Sequence, residues 1–171
     1  MTGRPAAFLD RDGVLIEDSG YPHRPEDLKL IPGAAAAVRR MKDAGYRTVI
    51  VTNQSGVAGG LFSEERMHAF NAELVARLAQ DGAVIDAVYA CPFHEKAVEA
   101  RYRHPDHPDR KPNPGMLLRA IADHGLDPAR SFIIGDKDSD LQAGVRAGVA
   151  GHLFAGGDLD AFVRDAVLGQ G

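Results

Sequence analysis

The chain has 171 residues, with 20 Lys plus Arg against 24 Asp plus Glu and a formal net charge of −4 with His neutral, the balance of an ordinary globular protein expected to form a single domain over 1–171. A single cysteine, Cys91, excludes an intramolecular disulfide framework, and the absence of basic runs argues against a nucleic-acid surface. No stretch of about 18 apolar residues is present to span a membrane, and the start MTGRPAAFLDRDG lacks a signal peptide's apolar run, so a cytoplasmic monomer is expected.

Residues 5–9 (PAAFL) run straight into Asp10-Arg11-Asp12-Gly13, the pattern of a buried strand ending in a polar turn. Residues 14–32 carry Gly20, Pro22, Pro25 and Pro32 and are too broken for a long helix, so a loop or small hairpin is expected. Residues 33–44 (GAAAAVRRMKDA) predict a helix closed by Gly45, and 46–51 (YRTVIV) a β-branched strand ending at Thr52-Asn53-Gln54-Ser55-Gly56. Ser63 caps a helix predicted over about 64–81, and a strand follows over 84–90. Residues 91–114 read as a long loop rich in proline that carries His94, His104 and His107. A helix over 116–124 stops at Gly125, and a strand over 131–134 (SFII) ends in Gly135-Asp136-Lys137-Asp138-Ser139-Asp140. A short helix (141–147), a strand (150–154) and a closing helix (159–167) complete the chain.

Strand and helix alternate throughout, which implies an α/β fold of parallel strands joined by helical crossovers, in a sheet covered on both faces. Ligands bind such sheets at the edge formed by the strand C-termini. That edge should gather Asp10 and Asp12, Thr52 and Asn53, and Asp136 and Asp140. Four carboxylates so close repel one another unless a cation sits among them, and an all-oxygen set suits a hard ion such as magnesium. Lys111, beside Arg110 in the loop before Pro112, is the nearest fixed positive charge for the oxygens of a phosphoryl group. Phosphoryl transfer, which depends on positioning and charge neutralisation, is therefore the leading chemistry. Taken singly, each group has a plainer reading: Asp-x-Asp-Gly as a turn or cap, Thr52-Asn53 as a capping pair, Lys111 as a solvated side chain. Their joint placement at the ends of separate strands favours a site.

The segments FLDRDGVL (8–15), VTNQSG (51–56), RKPNPGM (110–116) and GDKDSD (135–140) together resemble, in order, the four motifs of the haloacid dehalogenase-like phosphohydrolases. With GYPHRPEDL (20–28) they look most like the branch holding the heptose 1,7-bisphosphate and histidinol-phosphate phosphatases. The resemblance implies a Rossmann-like parallel sheet with helices on both faces and no large cap domain. It also implies a magnesium-dependent phosphomonoesterase acting on a small phosphorylated metabolite, a heptose bisphosphate first and histidinol phosphate or another small metabolite second. In that scheme Asp10 is the nucleophile, Asp12 the general acid and base, and Thr52 and Lys111 hold the phosphoryl oxygens. Magnesium would be held by Asp10, Asp136, the main-chain oxygen of Asp12 and, through its backbone, Lys137, with Asp140 behind them. Arg110 would contact the rest of the substrate, and Asp18, Ser19, Gly20, Tyr21, Asn53 and Ser55 would line its mouth. A non-catalytic phosphate-binding protein on this fold would need neither the nucleophile nor the acid.

Two departures from the family pattern stand out. The heptose enzymes carry a zinc loop of the form Cys-x-His followed by Cys-x-Cys, whereas Cys91, Phe93, His107 and Asp109 occupy the corresponding positions here. A shifted set, Cys91, His94, His104 and His107, has metal-ligand spacing; the alternative, favoured by the missing cysteine pair, is that these histidines lie on a loop surface braced by prolines. Without zinc, replacing Cys91 by Ser should hardly change stability. The second departure is Gly59, where the heptose enzymes have Arg, which removes a charge suited to a second phosphate.

Overall fold

The structure, a computed structural model, describes residues 3–169. Five parallel strands, β1 (Ala6–Leu9), β2 (Arg47–Asn53), β3 (Ala87–Cys91), β4 (Phe132–Gly135) and β5 (Ala150–Leu153), form one sheet in the order β3-β2-β1-β4-β5. The helices are α1 (Ala34–Asp43), α2 (Ser55–Ala58), α3 (Glu64–Gln80), α4 (Gly115–His124), α5 (Asp138–Arg146) and α6 (Leu159–Phe162). No cap domain interrupts this alternation among the described residues.

β1 takes the central place because all four of its residues are apolar and can be covered from both sides, as a strand inside a doubly covered sheet must be. Its side chains alternate between two cores. Ala7 and Leu9 pack with Met41 of α1, Leu74 of α3 and Leu159 of α6, while Ala6 and Phe8 pack with Met116 of α4 and Ala143 of α5. Burying a side chain such as Phe8 or Leu9 is worth about 1.5–3 kcal/mol, and a slip of one residue would send each to the wrong face. Leu9 thus lies opposite Ile50 of β2 and Ile134 of β4, which brings the residues after all three strands to one edge.

The predicted elements are present with shifted ends. β2 runs two residues further than the β-branched run, through Thr52 and Asn53, because these still pair with Ala90 and Cys91 of β3. α5 starts at Asp138 rather than 141, since acidic residues in a first turn are favoured by the helix dipole and Asp140 Oδ2 accepts the Lys137 N–H at 3.2 Å. The expected small hairpin exists in outline: Glu17 N–H donates to Lys29 and Ile31 N–H to Leu15. The closing helix is α-helical only over α6 and continues as a π-helical turn, Val163–Val167. The four-residue α2 was not expected from its sequence, SGVA.

Candidate active site

Asp10, Asp136 and Asp140 each place a carboxylate oxygen within 4.8 Å of the others at the edge where β1 and β4 end. Glycines make this crowding feasible. At Gly13 (φ +86°) a Cβ would stand 2.2 Å from Asp136 Oδ2, and at Gly135 it would stand 2.2 Å from the Asp140 Cβ. One ammonium serves the cluster: Lys111 Nζ donates to Asp10 Oδ1 at 2.9 Å, Asp140 Oδ1 at 2.5 Å and the Val51 carbonyl at 2.8 Å. All three of its N–H groups therefore have acceptors. Burial pushes the Asp10 and Asp140 carboxyls up from their ordinary values, with Lys111 opposing the rise. Burial pulls Lys111 the other way, but Asp10 and Asp140 outweigh it and hold the ammonium charged.

Three carboxylates against one ammonium leave unbalanced negative charge, and Asp136 Oδ1 is buried without a hydrogen-bond partner among the described residues. An orphaned carboxylate oxygen among hard oxygen donors fits a divalent cation of the magnesium type. Asp140 is already occupied on both oxygens, by Lys111 and by the Lys137 N–H, which leaves Asp10 and Asp136 as the carboxylates of the trio with an oxygen open to a cation.

Asp12 is held from behind by Arg11, a residue the sequence reading did not assign. Arg11 Nε and Nη2 reach Asp12 Oδ1 and Oδ2 at 2.7 and 3.2 Å, and its guanidinium is 99% buried. Burial pushes the Asp12 carboxyl up, and Arg11 restrains that rise. Thr52 is buried, its hydroxyl accepting from Gln54 Nε2 at 2.7 Å. Gln54 was likewise unassigned; its place inside VTNQSG, between two assigned polar residues, was the available signal.

Beside these groups opens a cleft of about 640 Å³ lined by Asp10, Asp12, Gln54, Lys111 and Asp140 and, further out, by Asp18, Gly20, Tyr21, Ser55, Arg110 and Lys137, with Thr52 and Asp136 packed behind that lining. Ser19 is exposed in the turn beside Gly20 and does not line the cleft. Asn53 does line it, but its Oδ1 accepts the Lys111 N–H and its Nδ2 donates to the Lys111 carbonyl, both at 3.0 Å, so it chiefly fixes the lysine. Arg110 Nη1 is buried with no acceptor among the described residues, a donor matched to an anionic ligand. Tyr21 takes φ 56°, unusual for a side chain of its size, and stands exposed at the rim. Phe62 stacks on His23 at 4.5 Å and ties this turn to the loop after α2.

The shifted zinc set does not assemble. Among the described residues only the aspartate trio brings metal-ligating atoms together. The Nδ1 atoms of His94, His104 and His107 instead accept the backbone N–H groups of Lys96, Asp106 and Asp109. Phe93 stacks face to face on His107 at 4.0 Å, and Cys91 is fully buried in the apolar cluster around Met116. This burial argues against the expectation that Cys91→Ser is harmless, since a hydroxyl loses more than a thiol on leaving water for an apolar core.

Two family models match, haloacid dehalogenase-like hydrolase over residues 7–90 and HAD-hydrolase-like over residues 109–164. The D-glycero-beta-D-manno-heptose-1,7-bisphosphate 7-phosphatase of Rhodopseudomonas palustris is 45% identical, over 96% of this chain and 91% of its own length. The D-glycero-D-manno-heptose-1,7-bisphosphate 7-phosphatase of Thermosynechococcus vestitus is 49% identical, over 90% of this chain and 80% of its own. The solved structure of D,D-heptose 1,7-bisphosphate phosphatase from B. bronchiseptica, complexed with magnesium and phosphate, matches with a TM-score of 0.77 and 34% identity, covering 98% of this chain and 87% of that one. With its aspartates, threonine and lysine gathered at one sheet edge and relatives matching nearly its whole length, the chain belongs to the haloacid dehalogenase-like hydrolase family.

Proposed function

We propose that the chain is a magnesium-dependent phosphomonoesterase that removes the 7-phosphate of D-glycero-D-manno-heptose 1,7-bisphosphate. The observation that carries this reading is the buried cluster of Asp10, Lys111 and Asp140 beside the unpartnered Asp136 Oδ1, at the floor of a cleft large enough for a sugar phosphate. Near-full-length likeness to heptose bisphosphate phosphatases supports the substrate.

Asp10, Asp136 and the main-chain oxygen of Asp12 would hold magnesium, which when bound neutralises charge on the phosphoryl group. Asp10 attacks phosphorus in line, forming an aspartyl phosphate as the bond from phosphorus to the sugar oxygen breaks, and Asp12 protonates that oxygen. Asp12, now a carboxylate beside Arg11, takes a proton from the water that attacks the aspartyl phosphate. Inorganic phosphate leaves and Asp10 is restored. As the Asp10 oxygen bonds to phosphorus it loses its negative charge, which frees the Lys111 N–H that faced it to donate to a phosphoryl oxygen. Thr52 holds another phosphoryl oxygen, and Arg110 contacts the remainder of the substrate.

The test is magnesium-dependent phosphate release by chelator-treated protein from a panel of sugar mono- and bisphosphates and histidinol phosphate, with Asp10→Asn as the blank. A preference for the heptose bisphosphate is expected, and release from no panel member would overturn the reading. One observation favours another small phosphorylated metabolite. A Cβ at Gly59 would meet nothing closer than 3.5 Å, so the fold does not require glycine there, and a position without a charge suits a substrate without a second phosphate. A different best substrate in the same panel would select that alternative.

A further inference from the structure

The carboxamide of Gln54 sits between Thr52 and Arg11. Its Nε2 donates to Thr52 Oγ1 at 2.7 Å and its Oε1 accepts from Arg11 Nη2 at 3.1 Å. A guanidinium has donors only, so the oxygen end of Gln54 must face Arg11 and the amino end must face Thr52. Arg11 is itself fixed. Beyond the Nε bond to Asp12, the two N–H groups of Nη2 are shared among Asp12 Oδ2, Gln54 Oε1 and the Pro22 carbonyl at 3.1–3.2 Å, Nη1 donates to Asn71 Oδ1 at 2.8 Å, and the group lies 4.7 Å from the Phe70 ring centre. The hydrogen bonds therefore run in one direction, from Arg11 to Gln54 to Thr52. The Thr52 hydroxyl, already accepting, donates to no described residue, so its proton is the open end of the chain.

We propose that Arg11 and Gln54 are positioning residues that fix the polarity of the Thr52 hydroxyl, keeping its proton available for a phosphoryl oxygen; this rests on the phosphatase reading above. A phosphoryl group offers only acceptors. A Thr52 hydroxyl that gave its proton to a neighbour would turn lone pairs toward the substrate and become repulsive at unchanged position. Polarity, as well as placement, is what the buried arginine secures. Because the same guanidinium holds Asp12, one side chain aligns both the proton-transfer group and a phosphate donor.

The experiment is a double-mutant cycle between Gln54→Glu and Thr52→Val, read as kcat/KM for a generic aryl phosphate. Glu matches Gln in shape and satisfies Arg11, but its second oxygen can only accept, so the Thr52 proton turns away from the substrate. Thr52→Val and Gln54→Glu should each lower kcat/KM by about 100-fold, the cost of one lost oxyanion donor. In the Thr52→Val background Gln54→Glu should cost no more than a few-fold, from its added charge alone. Equal losses in both backgrounds would overturn the proposal. If Gln54→Glu does not fold, Gln54→Met takes its place in the cycle and should lose activity only where Thr52 is present. A wild-type protein that hydrolyses no phosphate ester defeats the phosphatase reading by itself. The relay is then judged by calorimetric binding of inorganic phosphate with magnesium: weakening by Gln54→Glu only when Thr52 is present supports it, and equal weakening or no wild-type binding overturns it.

Discussion

Before any substrate arrives, Lys111 is the counter-ion of Asp10 and Asp140, with its remaining N–H on the Val51 carbonyl. That arrangement separates the roles of the aspartates. Asp10→Asn removes the proposed nucleophile together with one of three crowded carboxylates, while Lys111 keeps its other two partners. Turnover should fall by about 10⁴-fold or more, and the melting temperature should hold or rise. Phosphate release and thermal melts on one purified sample test this, and normal turnover would refute the nucleophile assignment. Cys91 poses a different residue-scale question. Its thiol is pushed up by burial and lies among Val51, Met116 and Leu117. Cys91→Ser should cost about 1 kcal/mol, because a more polar hydroxyl is buried in an apolar cluster with the backbone hydrogen bond at Phe93, which the thiol already has, to offset part of the loss, with activity per folded molecule retained. A denaturant midpoint equal to that of the wild type would contradict the packing.

At the opposite edge of the sheet, Asp86 ties three elements together just before β3. It accepts from Lys42 of α1 at 2.7 and 2.9 Å, from the Thr48 N–H of β2 at 2.8 Å and from Arg47 at 3.4 Å. Burial pushes its carboxyl up, but Lys42, Thr48 and Arg47 together outweigh it and hold the folded-state pKa below the ordinary carboxylate value. The group therefore contributes stability above the unfolded-state value of about 4, and this stability is lost as pH falls through the lower folded value. Asp86→Asn should cost about 2 kcal/mol near neutral pH, with the gap to the wild type closing below about pH 4. Urea unfolding at several pH values measures it; a gap independent of pH would show that the charge is not what matters. How much of the fold was legible depended on whether the governing contacts were local. AAFL before Asp10, YRTVIV and the Ser63 cap carry their own propensity and were readable. The start of α5 was not, because Asp138 and Asp140 look like turn residues until the helix dipole and Lys111 claim them. Arg11 and Gln54 escaped notice because the bond that joins them spans 43 residues, and position inside VTNQSG marks Gln54 as polar company without showing its partner. The zinc set failed in the other direction, since spacing in a loop says nothing of where the ring nitrogens turn.

For the molecule as a whole, the parallel sheet brings strand ends into one plane, and with them more carboxylates than a single lysine can neutralise. Folding thus assembles an electrostatic strain that a bound cation would relieve, so cation affinity should appear directly as stability. At a magnesium concentration of about 100 times its Kd, the linkage adds about 2.7 kcal/mol. For a chain of this size that corresponds to a rise of about 5–10 °C in melting temperature. Asp136→Asn should abolish most of the magnesium-dependent rise, because it removes the charge from the one carboxylate of the cluster with a buried oxygen that has no partner among the described residues. Asp86→Asn should lower the melting temperature at every magnesium concentration and leave the rise intact, because its partners lie on Lys42, Arg47 and Thr48 and none belongs to the aspartate cluster. Differential scanning calorimetry of the two variants across a magnesium series separates the ideas: a rise that survives Asp136→Asn would place the cation elsewhere, and one lost in Asp86→Asn would mean that the two edges of the sheet are coupled.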